Sequence, residues 1–202
     1  MSTGSHSVSG GDDLAMLDKY DCLEKLAAAR TNEVVVTTMS VVMPWGKVSD
    51  HPLDFASANS AMGHAADFAF GLALGQPDRR VVTLNGDGSM LMCLGTLVTI
   101  TQHPLKNYVL IITDNGAYEV TGNQSVPGAG RACFAAMARA AGLEKVQTIA
   151  TESELEAAMP KIFGEEGPLV FVLKMGKASE PPPKPADPMR DRAWRLKRAL
   201  EG

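Results

Sequence analysis

A chain of 202 residues with 45% hydrophobic and 21% charged residues has the length and composition of one soluble globular domain with its own core. A net charge of −4 leaves no electrostatic footprint for nucleic acid, and no apolar run is long enough to span a bilayer. The three cysteines, Cys22, Cys93 and Cys133, lie far apart without CxxC spacing, which excludes an iron–sulfur or structural zinc framework and fits reduced thiols in the cytoplasm.

Residues 1–12 lack the apolar core of a signal peptide and read as a flexible leader. Helical periodicity follows over 13–30, with Asp residues ahead of the first apolar positions. The β-branched run 33–41 predicts a buried strand, and 43–60, dense in turn formers, a long and therefore functional loop. Residues 61–75, "AMGHAADFAFGLALG", predict a helix whose Ala and Gly content suits close packing. Strands are then expected at 81–85, 107–114, 146–151 and 169–175, with helices at 89–103, 131–142 and 152–163. Strands apolar throughout and alternating with helices imply a doubly wound, mostly parallel α/β sheet covered on both faces, spanning residues 13–176. Residues 177–202 hold seven Lys/Arg against four Asp/Glu. They read as a Pro-rich linker and a short basic helical tail carrying Trp194, expected to dock a partner and to leave the core untouched.

In such a sheet, ligands bind beyond the carboxyl ends of the strands. Asp87 follows the strand 81–85 and Asn115 follows 107–114, so both are expected at one edge. Two oxygen-bearing side chains there suit Mg²⁺, which takes one or two carboxylates together with substrate phosphates. Gly86 and Gly88 permit close backbone approach, and a helix starting at Ser89 offers N–H groups to an anion. The same GDGS string is also an ordinary strand-to-helix turn, and Asp an ordinary helix cap. The case rests on the pair, on the strand–helix–strand spacing between them, and on the polar "YEVTGNQ" that follows.

Gly86-Asp87-Gly88-Ser89, with Asn115 downstream, resembles the cofactor motif of thiamin diphosphate (ThDP)-dependent enzymes, in their diphosphate-binding domain. Across about residues 33–175 the chain is similar to the small (beta) subunit of sulfopyruvate decarboxylase and to the C-terminal half of phosphonopyruvate decarboxylase. The resemblance implies Mg²⁺ ligation by Asp87, Asn115 and the main-chain carbonyl of Ala117, with Gly88 and Ser89 at the diphosphate. It implies that Met62, followed by Gly63, props the cofactor into its bent form, and that the carbonyl of Ser60 meets the aminopyrimidine amine. Tyr118, Glu119, Val120 and Thr121 would face the reactive end. Glu119 is not favoured as the proton donor, since Thr121 occupies the position that carries a catalytic carboxylate in some ThDP decarboxylases. His64 either reaches the active site or caps a helix; Trp45 and His51 could reach substrate from the long loop, and His6 and His103 look incidental. Arg131 and Lys47 are weak candidates for a cation facing an anionic substrate.

The family also needs a glutamate that activates the aminopyrimidine, and it comes from a second, pyrimidine-binding domain. A single α/β unit has no room for one. The implied protein is the beta subunit of an α2β2 or larger enzyme, whose large (alpha) subunit carries that glutamate. It would decarboxylate a 2-oxo acid, or make or cleave a C–C bond as a carboligase or lyase acting on an α-hydroxy ketone. The alternatives are the beta subunit of a 2-oxoacid:ferredoxin oxidoreductase, which the scattered cysteines disfavour, and a non-catalytic subunit that retains the fold.

Overall fold

The computed structural model describes residues 16–57, 62–177 and 188–201. The chain enters through α1 (Lys19–Ala29), capped by Asp18, whose carboxylate accepts from the amides of Tyr20 and Asp21. It continues into the fully buried strand β1 (Val34–Thr38) and a 3₁₀ turn, Met39–Val41. The segment 43–60, expected as a loop, instead contributes a helix, α2 (Val42–Val48), and an edge strand, β2 (Asp54–Ser57), paired parallel to β1. Pro44 stands in the first turn of α2, where its missing N–H costs nothing. The indole N–H of Trp45 donates to Asp54 at 3.0 Å, and Arg30 forms an ion pair with the same carboxylate. Those tertiary contacts, absent from any local pattern, hold both elements in place.

Helix α3 (Ala65–Gly75) leads to β3 (Val81–Gly86). The helix expected at 89–103 is two: α4 (Asp87–Met92) and α5 (Gly95–Gln102), broken at Cys93–Leu94. After β4 (Tyr108–Asp114) comes a two-residue hairpin, β5 (Ala117–Tyr118) with β6 (Gln124–Ser125). The chain closes with α6 (Phe134–Ala140), β7 (Val146–Ile149), α7 (Glu152–Gly164), β8 (Leu169–Lys174) and α8 (Met189–Glu201). Thr151 and Glu154 form a capping box at the start of α7.

The sheet runs β2-β1-β3-β4-β8-β7, all parallel. Alternate residues of the central strands face opposite helical layers. Val34, Val36, Leu110 and Ile112 pack with α3, α5 and α6, whereas Val35, Val109 and Ile111 pack with α1, α2 and α7. Burial on both faces explains why these strands read as unbroken apolar runs. Strand order reverses between β1 and β3, because the chain adds β2 on one side and everything later on the other. That reversal opens a crevice at the carboxyl ends of β1 and β3.

The tail does not stay clear of the core. Leu196 of α8 is 4% exposed and packs into the cluster that holds Phe55, Ala69 and Val34. Arg192 donates to the carbonyl of Ala56 at 2.6 Å, and Arg195 pairs with Asp50 at 2.7 Å. The basic side chains that suggested docking onto a partner fasten α8 to this chain's own edge strand, where they shield a sheet edge. Among the described residues, no helix is long and apolar enough to cross a membrane.

Candidate active site

β3 and β4 pair in a register that sets Gly86 opposite Thr113, so the residues after each strand emerge side by side. A cavity of about 310 Å³ lies there, within the range of small-molecule sites. Its floor is Gly86–Ser89 at the head of α4, and one wall is Ala117–Thr121 after β4. Met39 and Ser40, at the end of β1, close it at the point of strand reversal, and Met62 and Met92 complete an apolar side.

Asp87 is 2% exposed, and its carboxylate accepts from the amides of Gly88 at 2.7 Å and Gly116 at 2.6 Å. Burial nevertheless pushes its pKa up to about 6, and the neighbouring Asp114 adds to the rise against the lowering effect of the two amides. Asp114 is itself paired with Lys174. Asn115 is buried, with its side-chain oxygen accepting from the amide of Ala117 at 3.0 Å. The helix expected to start at Ser89 starts at Asp87, and the Gly88 amide in its first turn is turned onto the Asp87 carboxylate. Above Gly86 the space is open, with nothing within 4 Å of a built Cβ. At Gly88 a Cβ would stand 2.2 Å from Cε1 of Tyr118, so that ring lies flush against the glycine.

Ser89 reaches across to the other wall: its hydroxyl accepts from the amide of Gly63 at 2.9 Å. Gly63 holds φ +86°, a region that residues with a Cβ rarely adopt, and this turn presents Met62 to the cavity. Ser60 lies outside the described residues. Glu119 also lines the cavity but is buried and ion-paired with Lys19 of α1, which occupies its charge and disfavours it further as a proton donor. Thr121 donates to the side-chain oxygen of Gln124 at 2.8 Å, and Gln124 returns a bond to the carbonyl of Thr121 at 2.8 Å. The segment after β4 is thus braced by its own side chains.

The family model described as thiamine pyrophosphate enzyme, C-terminal TPP binding domain, matches residues 37–173. The chain belongs to that family. Within the ThDP enzymes it is similar to the beta subunit of sulfopyruvate decarboxylase from Methanocaldococcus jannaschii, at 38% identity over 127 residues covering 63% of this chain and 66% of the relative. The corresponding subunit of Methanococcus maripaludis is 31% identical over 78% of this chain and 84% of its own. Phosphonopyruvate decarboxylase from Streptomyces hygroscopicus is 36% identical over 86% of this chain, which spans 43% of that protein. The solved structure of benzoylformate decarboxylase from Polynucleobacter necessarius superposes with a TM-score of 0.71 at 25% identity, covering 86% of this chain and 36% of that one.

The donor set fits a metal-bound diphosphate of ThDP. Asp87 and Ala117 line the cavity and the buried Asn115, next but one before Ala117, does not; its side-chain oxygen and that carboxylate are hard donors of the kind Mg²⁺ takes. A buried carboxylate with raised proton affinity is also one that a divalent cation relieves.

Several residues singled out in the sequence stand elsewhere. The His64 side chain is 72% exposed, does not line the cavity, and faces Asp67 at 3.4 Å; His64 stands at the N-cap of α3, but its side chain makes no capping hydrogen bond. His51 and Trp45 belong to the network of Arg30 and Asp54, with Arg30 3.1 Å from Nδ1 of His51. Lys47 lies 3.3 Å from the hydroxyl of Tyr20, and neither it nor the exposed Arg131 lines the cavity. Conversely, Met39, Ser40, Met92 and Lys19 were not anticipated. The end of β1 could have been, since strand reversal at a parallel sheet marks the ligand crevice; Lys19 carried no local signal.

Proposed function

We propose that this chain is the small subunit of a two-component ThDP- and Mg²⁺-dependent enzyme. It decarboxylates a 2-oxo acid, or makes or cleaves a C–C bond next to a carbonyl. The observation that carries the reading is the buried Asp87 carboxylate, which lines with Ala117 the cavity where strand order reverses, while the buried Asn115 follows the neighbouring strand. ThDP, when bound, supplies the carbon nucleophile and the electron sink for the bond cleavage.

This chain's residues would anchor and shape that group. Asp87, the side chain of Asn115 and the carbonyl of Ala117 are the Mg²⁺ ligands; Gly86, Gly88 and Ser89 meet the diphosphate. Met62, fixed by the Gly63–Ser89 hydrogen bond, is the prop that sets the cofactor's bend. Tyr118 and Thr121 face the reacting end, and the apolar side made by Met39, Met62 and Met92 keeps water out. Among the described residues, the acidic group on the cavity wall besides Asp87 is Glu119, ion-paired with Lys19. The activating glutamate is therefore assigned to a separate large subunit in an α2β2 or larger assembly. Any anionic group on the substrate would meet its cation there too, since among the described residues no Lys or Arg lines this cavity.

The test is to purify the chain from its own cells with the larger protein that accompanies it, add ThDP and Mg²⁺, and measure CO₂ release and carboligation with a panel of 2-oxo acids. Full activity in a complex carrying Asp87→Ala would overturn the metal assignment, and a chain that is active with no partner would overturn the half-site.

A further inference from the structure

Outside the cavity, three side chains of different chemistry converge where two helices meet. His64 and Asp67 stand three residues apart across the first turn of α3, on one face of the helix. Cys93 sits at the break between α4 and α5. Nδ1 of His64 lies 3.4 Å from Oδ2 of Asp67, the sulfur of Cys93 lies 3.1 Å from the same oxygen, and all three ligand atoms fall within 4.8 Å of one another.

We propose that His64, Asp67 and Cys93 form a three-ligand site for a borderline divalent transition metal of the zinc class, with the fourth position open. Tetrahedral Zn²⁺, with bonds of about 2.0–2.3 Å, sets its ligands roughly 3.5 Å apart. Two of the three separations already meet that spacing, and His64 closes the third by rotation, being exposed and uncommitted to capping α3. The charges also close: one thiolate and one carboxylate neutralise a dication. A thiolate donor selects against Mg²⁺ and for softer ions, so this site and the oxygen site at Asp87 take different metals.

The carboxylate is held for the purpose. Thr96, buried on α5, donates its hydroxyl to Oδ1 of Asp67, which leaves Oδ2 turned toward the histidine and the thiol. Such an outer hydrogen bond fixes the orientation of a ligand. A metal here would clip the head of α3, one residue after Gly63, to the joint that ends α4, the helix carrying Asp87 and Ser89. Occupancy would stiffen both walls of the cofactor cavity.

The full chain, purified with chelator and then dialysed free of it, is titrated with Co²⁺ as a spectroscopic stand-in. The expected result is one Co²⁺ per chain, with a thiolate-to-metal charge-transfer band and the visible absorption of a tetrahedral ion, both abolished by Zn²⁺ and untouched by Mg²⁺. Cys93→Ser removes the charge-transfer band, His64→Ala weakens binding at least about tenfold, and Thr96→Val weakens it about 10- to 100-fold. Absence of the band in the parent chain overturns the proposal. So does a band that survives Cys93→Ser, which would place the sulfur on Cys22 or Cys133, or an affinity indifferent to His64→Ala. His64 is exposed, so its variant tests ligation in a folded protein.

Discussion

Asp87→Asn removes the charge of the buried carboxylate while keeping its shape. In the folded chain the group titrates at about 6 against 3.8 for the free side chain, because burial disfavours the anion more than the Gly88 and Gly116 amides favour it, with Asp114 adding to the effect. A carboxyl with a raised folded pKa favours folding only in its protonated form. Its ionisation therefore costs nothing below about pH 4, costs progressively more as pH rises toward 6, and levels off above. About two pKa units correspond to about 3 kcal/mol at the plateau. The asparagine carries no such penalty, but it accepts through one oxygen only, so one of the two glycine amides loses its partner at a pH-independent cost of about 1–3 kcal/mol. The pH dependence isolates the charge. Between about pH 4.5 and about pH 8, the unfolding free energy of the variant relative to the parent should shift by about 2 kcal/mol in the variant's favour. Urea denaturation of the full chain in EDTA at the two pH values measures it. Mg²⁺ with ThDP should stabilise the parent and leave the variant unmoved. Parallel pH profiles for the two proteins would refute the reasoning, since they would mean that Asp87 is as well solvated folded as unfolded.

Gly88→Ala drives a methyl into the Tyr118 ring, and the displaced ring should weaken ThDP binding, read by calorimetry on the assembled enzyme, at a folding cost of about 1–3 kcal/mol. Glu119→Leu leaves Lys19 buried without its counter-charge and should cost about 3–5 kcal/mol in chemical denaturation, much of it recovered by adding Lys19→Met. If Met62 is the proposed prop, Met62→Ala should lower kcat of the assembled enzyme by up to about 100-fold while ThDP affinity changes far less, because a prop would set geometry rather than anchorage. Leu196→Ala in α8 should cost about 2–5 kcal/mol of stability, which a tail that merely tethers a partner would not show.

The parts of the fold legible in the sequence are those whose pattern is local and strong. β3 and β4 are buried on both faces, so their apolar runs announce parallel strands, and the strand–helix–strand spacing alone brings Asp87 and Asn115 to one edge. The segment 43–60 reads as a loop because its turn formers are genuine. Its helix and edge strand exist through Arg30, Trp45 and Asp54, partners that no window of sequence joins. The break at Cys93–Leu94 hides inside an apolar stretch suited to one helix. Arg192 and Arg195 look like a docking patch until β2 is known to lie beneath them. The pairing of Lys19 with Glu119 spans a hundred residues, and composition had no means of disclosing it. His64 drew notice as an isolated histidine beside the cofactor motif, but its neighbours Asp67 and Cys93 become a set only once α3 packs against the α4–α5 joint.

Departures from local rules gather at one place. Met39, a residue with a side chain, sits at φ +49° where β1 ends; Gly63 holds φ +86° beside Met62; and Asp87 keeps a carboxylate where burial resists its charge. Two of the three are unfavourable alone, the Met39 backbone by about 1–3 kcal/mol and the carboxylate by about 3 kcal/mol at neutral pH. Against a total stability of about 5–15 kcal/mol, a fold does not keep such costs side by side without a common cause. Under the proposed reading, a divalent cation at Asp87 would convert the largest of them into a favourable contact, and a cofactor seated over Gly86 and against Met62 would give the two backbone turns their purpose. The proposed reading then predicts that loading the chain with Mg²⁺ and ThDP raises its unfolding midpoint in a thermal scan, and an unmoved midpoint would count against it.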